Sequence, residues 1–166
     1  MKLINLSPKQ LKLVLNIYPP YFGTGIKVEH ISEDWRELKV SMRLRWYNRN
    51  AVGTHFGGSL YAMIDPHLML LLMRLLGKEY LVWDQRARVE FIKASKGKVW
   101  AVFKITEDDI REIKRNTQKG EKYLASFPVE IRDEENELVA RSVKVIYIRK
   151  NNIQHNFLSG DYRRES

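Results

Sequence analysis

The chain of 166 residues contains no cysteine. Disulfides, thiolate metal ligands and a cysteine nucleophile are therefore all excluded. A dense basic run with interleaved aromatic residues is also missing, although 29 Lys and Arg against 20 Asp and Glu give a formal charge of +9. We therefore favour a generic basic surface, and keep a nucleic-acid or membrane-surface binder as the less favoured alternative.

Residues 1–6 lack the apolar core and cleavage site of a signal peptide, so we expect a cytoplasmic protein. The composition, 44% hydrophobic and 30% charged, is that of a soluble globular domain. No linker or internal repeat interrupts the chain. We predict one domain with an N-terminal helix over residues 1–149 and a polar C-terminal tail over residues 150–166.

The first third predicts a helix followed by two strands. Ser7 is a helix cap with Gln10 at the capping-box position, and the pair at residues 19–20, both proline, ends that helix. Residues 21–32 are predicted to be loosely extended. Residues 37–45 alternate as a half-buried strand, with its apolar face formed by Leu38, Val40, Met42 and Leu44.

Residues 56–76 are apolar on nearly every side, which predicts one long buried helix ending at Gly77. A membrane span of this length is disfavoured, because each charged group at mid-bilayer costs about 2.5 kcal/mol. The polar and helix-breaking residues in the segment are Asp65, Pro66, His67 and Arg74.

The second half returns to strands, predicted at residues 80–93, 98–106, 121–132 and 138–149, with a short helix capped by Thr106. Pro128 has no N–H and therefore predicts an edge or a bulge in its strand. In the first of these strands the side chains predicted to share one face, opposite Asp84, are Leu81, Trp83, Ala87, Val89 and Phe91.

This order of elements predicts an α+β fold in which an antiparallel sheet wraps around a long central helix. Such a half-shell leaves one flank of the helix and one edge of the sheet uncovered. Pairing of two subunits would cover both, so we expect a homodimer.

The segment from Asn50 to Asp65 has the composition of an active site. Gly57 and Gly58 open the helix, where free backbone N–H groups can hold an oxyanion, and Asp65 is an acid in an apolar helix. Each feature also has a structural interpretation. The glycines permit close packing, Asp65 can be a carboxylate paired with a backbone group or an arginine, and Asn50 suits a turn.

A family resemblance rests on the spacing Asn50-x-x-Gly53-Thr54-x-x-Gly57-Gly58-x-x-x-Ala62-x-x-Asp65. This pattern resembles hotdog-fold acyl-CoA thioesterases of the phenylacetate-pathway type. The segments GGSLYAMIDP, YLVWDQRARVEF and VKVIYIRK are similar to an uncharacterised hotdog branch, the DUF4442 group. The resemblance covers roughly residues 20–149 and implies the hotdog fold.

The resemblance also implies roles for individual residues. The backbone N–H of Gly57 would polarise the thioester carbonyl, and Asp65 would act as base or nucleophile across the subunit interface. Asn50 would position water or the thioester. Asp84 stands near the place of a Ser or Thr in related enzymes, and an acid can donate a proton there only when it is itself protonated.

A second departure is Phe56, which stands where the family commonly has His, with His55 one place earlier. We assign His55, Phe56, Gly58 and Asp84 to substrate binding. No metal site is expected, because His55, Asp65 and His67 do not have a recognised ligand spacing.

The leading interpretation is an acyl-CoA thioesterase that works as a homodimer or a tetramer and needs no metal or redox cofactor. The first alternative, from another class, is a non-catalytic acyl-CoA or lipid-binding protein. Lysines 93, 96 and 98 could meet coenzyme A phosphates, but solvated loop lysines are the favoured interpretation.

Overall fold

Six strands pair into one antiparallel sheet in the computed structural model, which describes residues 6–151. The strands are β1 (Ile26–Ile31), β2 (Glu37–Arg43), β3 (Tyr80–Phe91), β4 (Lys98–Lys104), β5 (Lys122–Asp133) and β6 (Leu138–Lys150). The helices are α1 (Pro8–Ile17), α2 (Pro19–Thr24), α3 (Gly57–Ala62), α4 (His67–Leu76) and α5 (Glu107–Asn116). The spatial order of the strands is β1-β2-β4-β5-β6-β3, so β1 and β3 are the edges.

The start of α1 agrees with the sequence prediction. Ser7 and Gln10 form a reciprocal capping box. The next segment differs from its prediction, because the chain from residue 21 is not extended but continues in helix α2. Pro19 occupies the first position of α2, where a missing N–H costs nothing, and Gly25 ends that helix with a left-handed φ of 76°. β1 begins only at the following residue.

The predicted long central helix is also wrong in one respect, because it is divided into α3 and α4. The break lies at Asp65-Pro66, whose peptide bond is cis, and proline can neither donate to nor pack into the preceding turn of a helix. By length and composition alone the stretch Gly57–Leu76 could cross a membrane, with a mean hydropathy of 1.3. It lies against the sheet instead, and its fully buried leucines are Leu68, Leu71 and Leu72.

β3 contains a bulge that reverses part of the predicted alternation. Asp84 pairs with Ile146 and Arg86 pairs with Val145, so Gln85 is the extra residue. Before the bulge Tyr80, Val82 and Asp84 turn inward, and after it Ala87 and Val89 do. The prediction that Leu81 and Trp83 share one face with Ala87 and Val89 is therefore wrong, because Leu81 and Trp83 are exposed on the other face.

β5 is an interior strand, yet it pairs with β4 only through residues 131–133. Pro128 lies beyond that pairing, on a part of β5 that has only β6 as a described neighbour. The predicted local edge at Pro128 is thus confirmed. At the C-terminal end Lys150 still belongs to β6, so the polar tail does not begin there, and its remainder from 152 onward lies outside the described residues.

Candidate functional site

A cleft of about 300 Å³ lies where α3 begins and β3 ends, and we call it the helix-start cleft. It brings together three of the residues predicted for the site, Asn50, His55 and Gly57. The Phe91 ring lies over the glycine, and a Cβ placed there would be only 3.2 Å from Phe91 Cζ. Close packing is therefore one reason for glycine at this position.

The first backbone N–H groups of α3 belong to Gly57 and Gly58, and a helix provides no acceptor for its first N–H groups. Phe56, the residue before them, is 55% exposed. A side chain at Gly58 would collide with the Phe56 ring. The exposed ring thus stands directly at the helix start, where the resemblance led us to expect histidine.

The Asn50 side chain is fully engaged within its own turn. Its Oδ1 accepts hydrogen bonds from Val52 N at 3.1 Å and Thr54 N at 3.0 Å. Its Nδ2 donates to Thr54 Oγ1 at 2.9 Å and to the His55 carbonyl at 3.3 Å. These four bonds fix the loop that leads into α3.

His55 is buried in the wall of the cleft. Its Nε2 lies 2.9 Å from the Gly97 carbonyl, and its Nδ1 has no hydrogen-bond partner in the described part of the chain. Burial lowers the pKa of His55, against the opposing effect of the Gly97 carbonyl. The imidazole is therefore neutral and bonded towards the loop before β4.

Asp65 is absent from the lining of the helix-start cleft and lies at the break between α3 and α4. Gly57 begins α3, whose six residues span about 9 Å, and Asp65 lies beyond the other end of that helix, so one thioester group is not expected to touch both Gly57 N and Asp65 of the same subunit. The Asp65 side chain is 48% exposed, so solvent and substrate can reach the carboxylate.

Lys144 is the site residue that we did not predict from the sequence. It lies in β6, its side chain is 2% exposed, and its Nζ is 2.6 Å from Asp65 Oδ1 and 2.7 Å from Asp84 Oδ1. A lysine in a strand is ordinarily assigned to solvent. The available signal was its parity with Ser142 and Ile146, because the charged Arg141 and Arg149 occupy the other parity.

The charges and burial in this cluster shift the pKa values of the two carboxyl groups in opposite directions. Burial works to raise the pKa of Asp65, but the hydrogen bond and charge of Lys144 outweigh it, and the pKa lies below the ordinary value. Burial is also the largest effect on Asp84, and with Asp65 it raises the Asp84 pKa to about 6. The two carboxylates outweigh burial and raise the pKa of Lys144.

Tyr21 and His67 pack at the break between α3 and α4. The Tyr21 hydroxyl donates to the Asp65 carbonyl at 2.9 Å and lies 3.2 Å from the His67 ring nitrogens. His67 also packs against Phe103, with ring centroids 4.6 Å apart. Burial lowers the pKa of His67 to about 3, so the imidazole is neutral.

Replacing His67 by leucine is expected to reduce the loss of stability in acid. Between pH 6.5 and 3 His67 binds a proton in the unfolded chain but not in the folded protein, so the free energy of unfolding falls as pH falls. From pH 7 to 4 this contributes about 3 kcal/mol, partly offset because folded Asp84 binds a proton between pH 6 and 3.8. Urea unfolding at both pH values measures the difference, and His30→Gln, at an exposed position, should behave as wild type. Equal acid sensitivity in His67→Leu and wild type would contradict this assignment.

Residues 6–151 contain no group of three His, Asp or Glu side chains arranged to hold a metal ion. Two of the three lysines considered for coenzyme A are in ion pairs. Lys93 pairs with Asp133 and Glu137, and Lys98 lies 3.6 Å from Glu29.

The arrangement of six antiparallel strands around the central helices is the hotdog fold, and solved structures agree. A Pseudomonas aeruginosa protein of unknown function, called a probable thioesterase, superposes with a TM-score of 0.76 at 18% identity, over 87% of this chain and 97% of that one. A Haemophilus influenzae thioesterase gives 0.65 at 15% identity, over 92% and 96%. The phenylacetic acid degradation protein PaaI of Thermus thermophilus, as a point mutant, gives 0.55 at 21% identity, over 78% and 97%.

At 15% to 21% identity these likenesses show a shared fold. The family itself follows from the sequence match, because the domain of unknown function DUF4442 matches residues 8–148. The chain belongs to the DUF4442 family. No curated protein matches it.

Proposed function

We propose that this protein hydrolyses an acyl-CoA or a related acyl thioester at a site shared by two subunits. The observation that carries the proposal is Asp65, a half-exposed carboxylate held in its ionised form by the buried Lys144. A carboxylate at a helix break in an otherwise apolar region is costly to maintain without a function. Thioesterase-like structural neighbours support the class of substrate.

In the proposed reaction Asp65 accepts a proton from water while the water oxygen attacks the thioester carbonyl carbon. The backbone N–H of the partner's Gly57 holds the oxyanion that forms. Collapse of the tetrahedral intermediate then breaks the carbon–sulfur bond, and the proton that Asp65 took up balances the one gained by the departing thiolate, so that the acid and the thiol are released. No metal or redox cofactor takes part, and we propose a cytoplasmic location.

Exposed apolar residues favour the subunit pairing that this mechanism needs. β3 is a twelve-residue edge strand, and a long open edge is normally paired or covered. The large apolar side chains exposed near that edge and at α3 include Phe56, Tyr61, Phe91 and Ile92. A two-fold partner packed there would cover them and place its Gly57 within reach of Asp65. A tetramer built from two such dimers is a further possibility.

A second candidate is a non-catalytic acyl-CoA or lipid-binding protein. The observation that favours it is the state of Asn50, whose side-chain oxygen and nitrogen are bonded within its own turn, and of His55, whose Nε2 lies against the Gly97 carbonyl rather than a substrate. Such a site could retain the acyl thioester without turning it over. The basic nucleic-acid or membrane-surface binder is the third candidate and rests on net charge alone.

Hydrolysis and binding should be measured together on short, aromatic and long acyl-CoAs. We expect thiol release from at least one class, detected with a thiol reagent, with saturation at the concentration at which the substrate binds. Tight binding of every acyl-CoA without thiol release would select the non-catalytic protein. Binding to DNA or anionic vesicles that weakens steeply with salt, in the absence of acyl-CoA binding, would select the third candidate.

A further inference from the structure

We infer that Asp84 is a second functional carboxyl group of this site. In this inference Lys144 keeps Asp65 ionised as the base, and Asp84 is the carboxyl group that holds a proton. The division of charge follows from the geometry of the folded protein. Only the chemical use of the proton rests on the proposed thioester hydrolysis.

The bulge in β3 brings Asp84 into the cluster. Because Gln85 is an extra residue, Asp84 faces inward with Val82. Lys144 reaches it from the neighbouring strand β6, where it pairs with Ala87. The exposed fractions of the side chains are 48% for Asp65, 21% for Asp84 and 2% for Lys144. Asp65 is therefore the outer carboxyl group and Asp84 the inner one.

Lys144 contacts the two carboxyl groups with different geometry. It donates a hydrogen bond to Asp65 Oδ1 at 2.6 Å. Its approach to Asp84 Oδ1 is as close, but it lacks hydrogen-bond geometry, and no donor in residues 6–151 satisfies that buried oxygen. A buried carboxylate oxygen without a donor is costly, and protonation removes that cost.

The net charge of the cluster also favours a proton on one of the two carboxyl groups. One ammonium group cannot neutralise two carboxylates, so a proton on one of them removes the excess negative charge of the cluster. The more buried Asp84 takes it, and with a pKa raised to about 6 it holds this proton below about pH 6 and is mostly ionised at pH 7.

The other titratable groups that face the cluster do not compete for this proton. Tyr21, from α2, stays neutral because burial and the charge of Asp65 raise its pKa. His67, from α4, stays neutral because burial lowers its pKa. The proton is therefore exchanged between Asp65 and Asp84, with Lys144 charged between them.

In hydrolysis the protons balance within this pair. Asp65 takes one proton from the attacking water, and Asp84 gives one proton to the thiolate as the carbon–sulfur bond breaks. The proton on Asp65 then passes to Asp84, which restores the starting state. Water and thioester are consumed, acid and thiol are released, and no other reactant is needed.

Carboxyl-carbon NMR of the 13C-aspartate-labelled protein tests the division without any substrate. In wild type we expect Asp84 to titrate near pH 6 and Asp65 below its ordinary pKa. Asp65→Asn should lower the Asp84 pKa by about one pH unit, because a negative neighbour is removed and Lys144 remains. Lys144→Met should raise the Asp65 pKa above its ordinary value. Asp34→Asn, an exposed change at the β1–β2 turn, should leave both titrations unchanged.

Wild-type carboxyl groups that both titrate below pH 4, or an Asp84 pKa unchanged by Asp65→Asn, would overturn the inference. These results do not depend on turnover, so they are separable from failure of the proposed function. If hydrolysis is found, kcat of wild type should decline above pH 6 as Asp84 loses its proton. Asp84→Asn should be slower throughout and should lack that decline; an unchanged pH profile would remove Asp84 from the chemistry.

Discussion

Asp65→Asn is expected to lower kcat for acyl-CoA hydrolysis by about 10²- to 10⁴-fold, the usual contribution of a positioned base. Asparagine has nearly the same shape and can still accept the hydrogen bond from Lys144, but its amide can neither take a proton from water nor attack a carbonyl. Because the side chain is half-exposed, the fold should survive the change. Steady-state kinetics with the preferred acyl-CoA measures the effect.

Two further variants make this result specific. Asp108→Asn changes an exposed acid in α5 and should retain wild-type kcat. A second inactive variant, Gly57→Val, should obstruct the amide that holds the oxyanion. Refolding it together with Asp65→Asn in equal amounts should restore about one quarter of wild-type activity, because half the dimers are mixed and each has one intact site. Full activity of Asp65→Asn would refute the proposed base, and no recovery on mixing would refute a site shared between subunits.

Much of the fold was predictable because its signals are local. The capping box at Ser7 and the helix cap at Thr106 are confirmed, and so is the alternation of Leu38, Val40 and Met42 in β2. The errors fall where one residue has two possible effects. Pro19 ends one helix and also begins another, and Pro66 divides a segment that periodicity alone shows as continuous.

The candidate site was less accessible from the sequence, because its groups meet through tertiary structure. Asp65 was noticeable as an acid in an apolar segment. Its partner Lys144 lies 79 positions away along the chain, and only the folded sheet brings the two together. The bulge at Gln85 is equally hidden, because nothing in the local alternation marks the extra residue that turns Asp84 inward.

One consequence is that the same cluster determines both the chemistry and the stability of this region. If Asp65 were a purely structural carboxylate, we would expect it to be fully buried together with Lys144. Instead the lysine is buried and the carboxylate is half-exposed. A buried charge that supports an accessible one is the arrangement expected of a functional site.

Lys144→Met should therefore destabilise the protein by about 3 kcal/mol at pH 7, because removing one partner of a buried ion pair leaves uncompensated charge. We place the cost at the lower end of the usual range because water can reach Asp65 once the lysine is gone. Urea unfolding at pH 7 measures it. Lys104→Met removes an exposed lysine whose partner is Glu37, and should change stability by less than about 1 kcal/mol.

The origin of this cost is tested by removing the negative charges as well. With Asp65→Asn and Asp84→Asn added to Lys144→Met, no carboxylate is left unpaired, so most of the lost stability should return. The cost of Lys144→Met alone should also shrink from pH 7 towards pH 4. Without Lys144 the pKa of the partly buried Asp65 lies above its ordinary value, so the carboxylate of the variant takes up a proton in that range and its unpaired charge disappears, whereas wild-type Asp65, whose pKa is lowered, stays ionised and paired. A triple variant as unstable as Lys144→Met would mean that lost packing of the lysine chain, rather than charge, holds β6 against the break between α3 and α4.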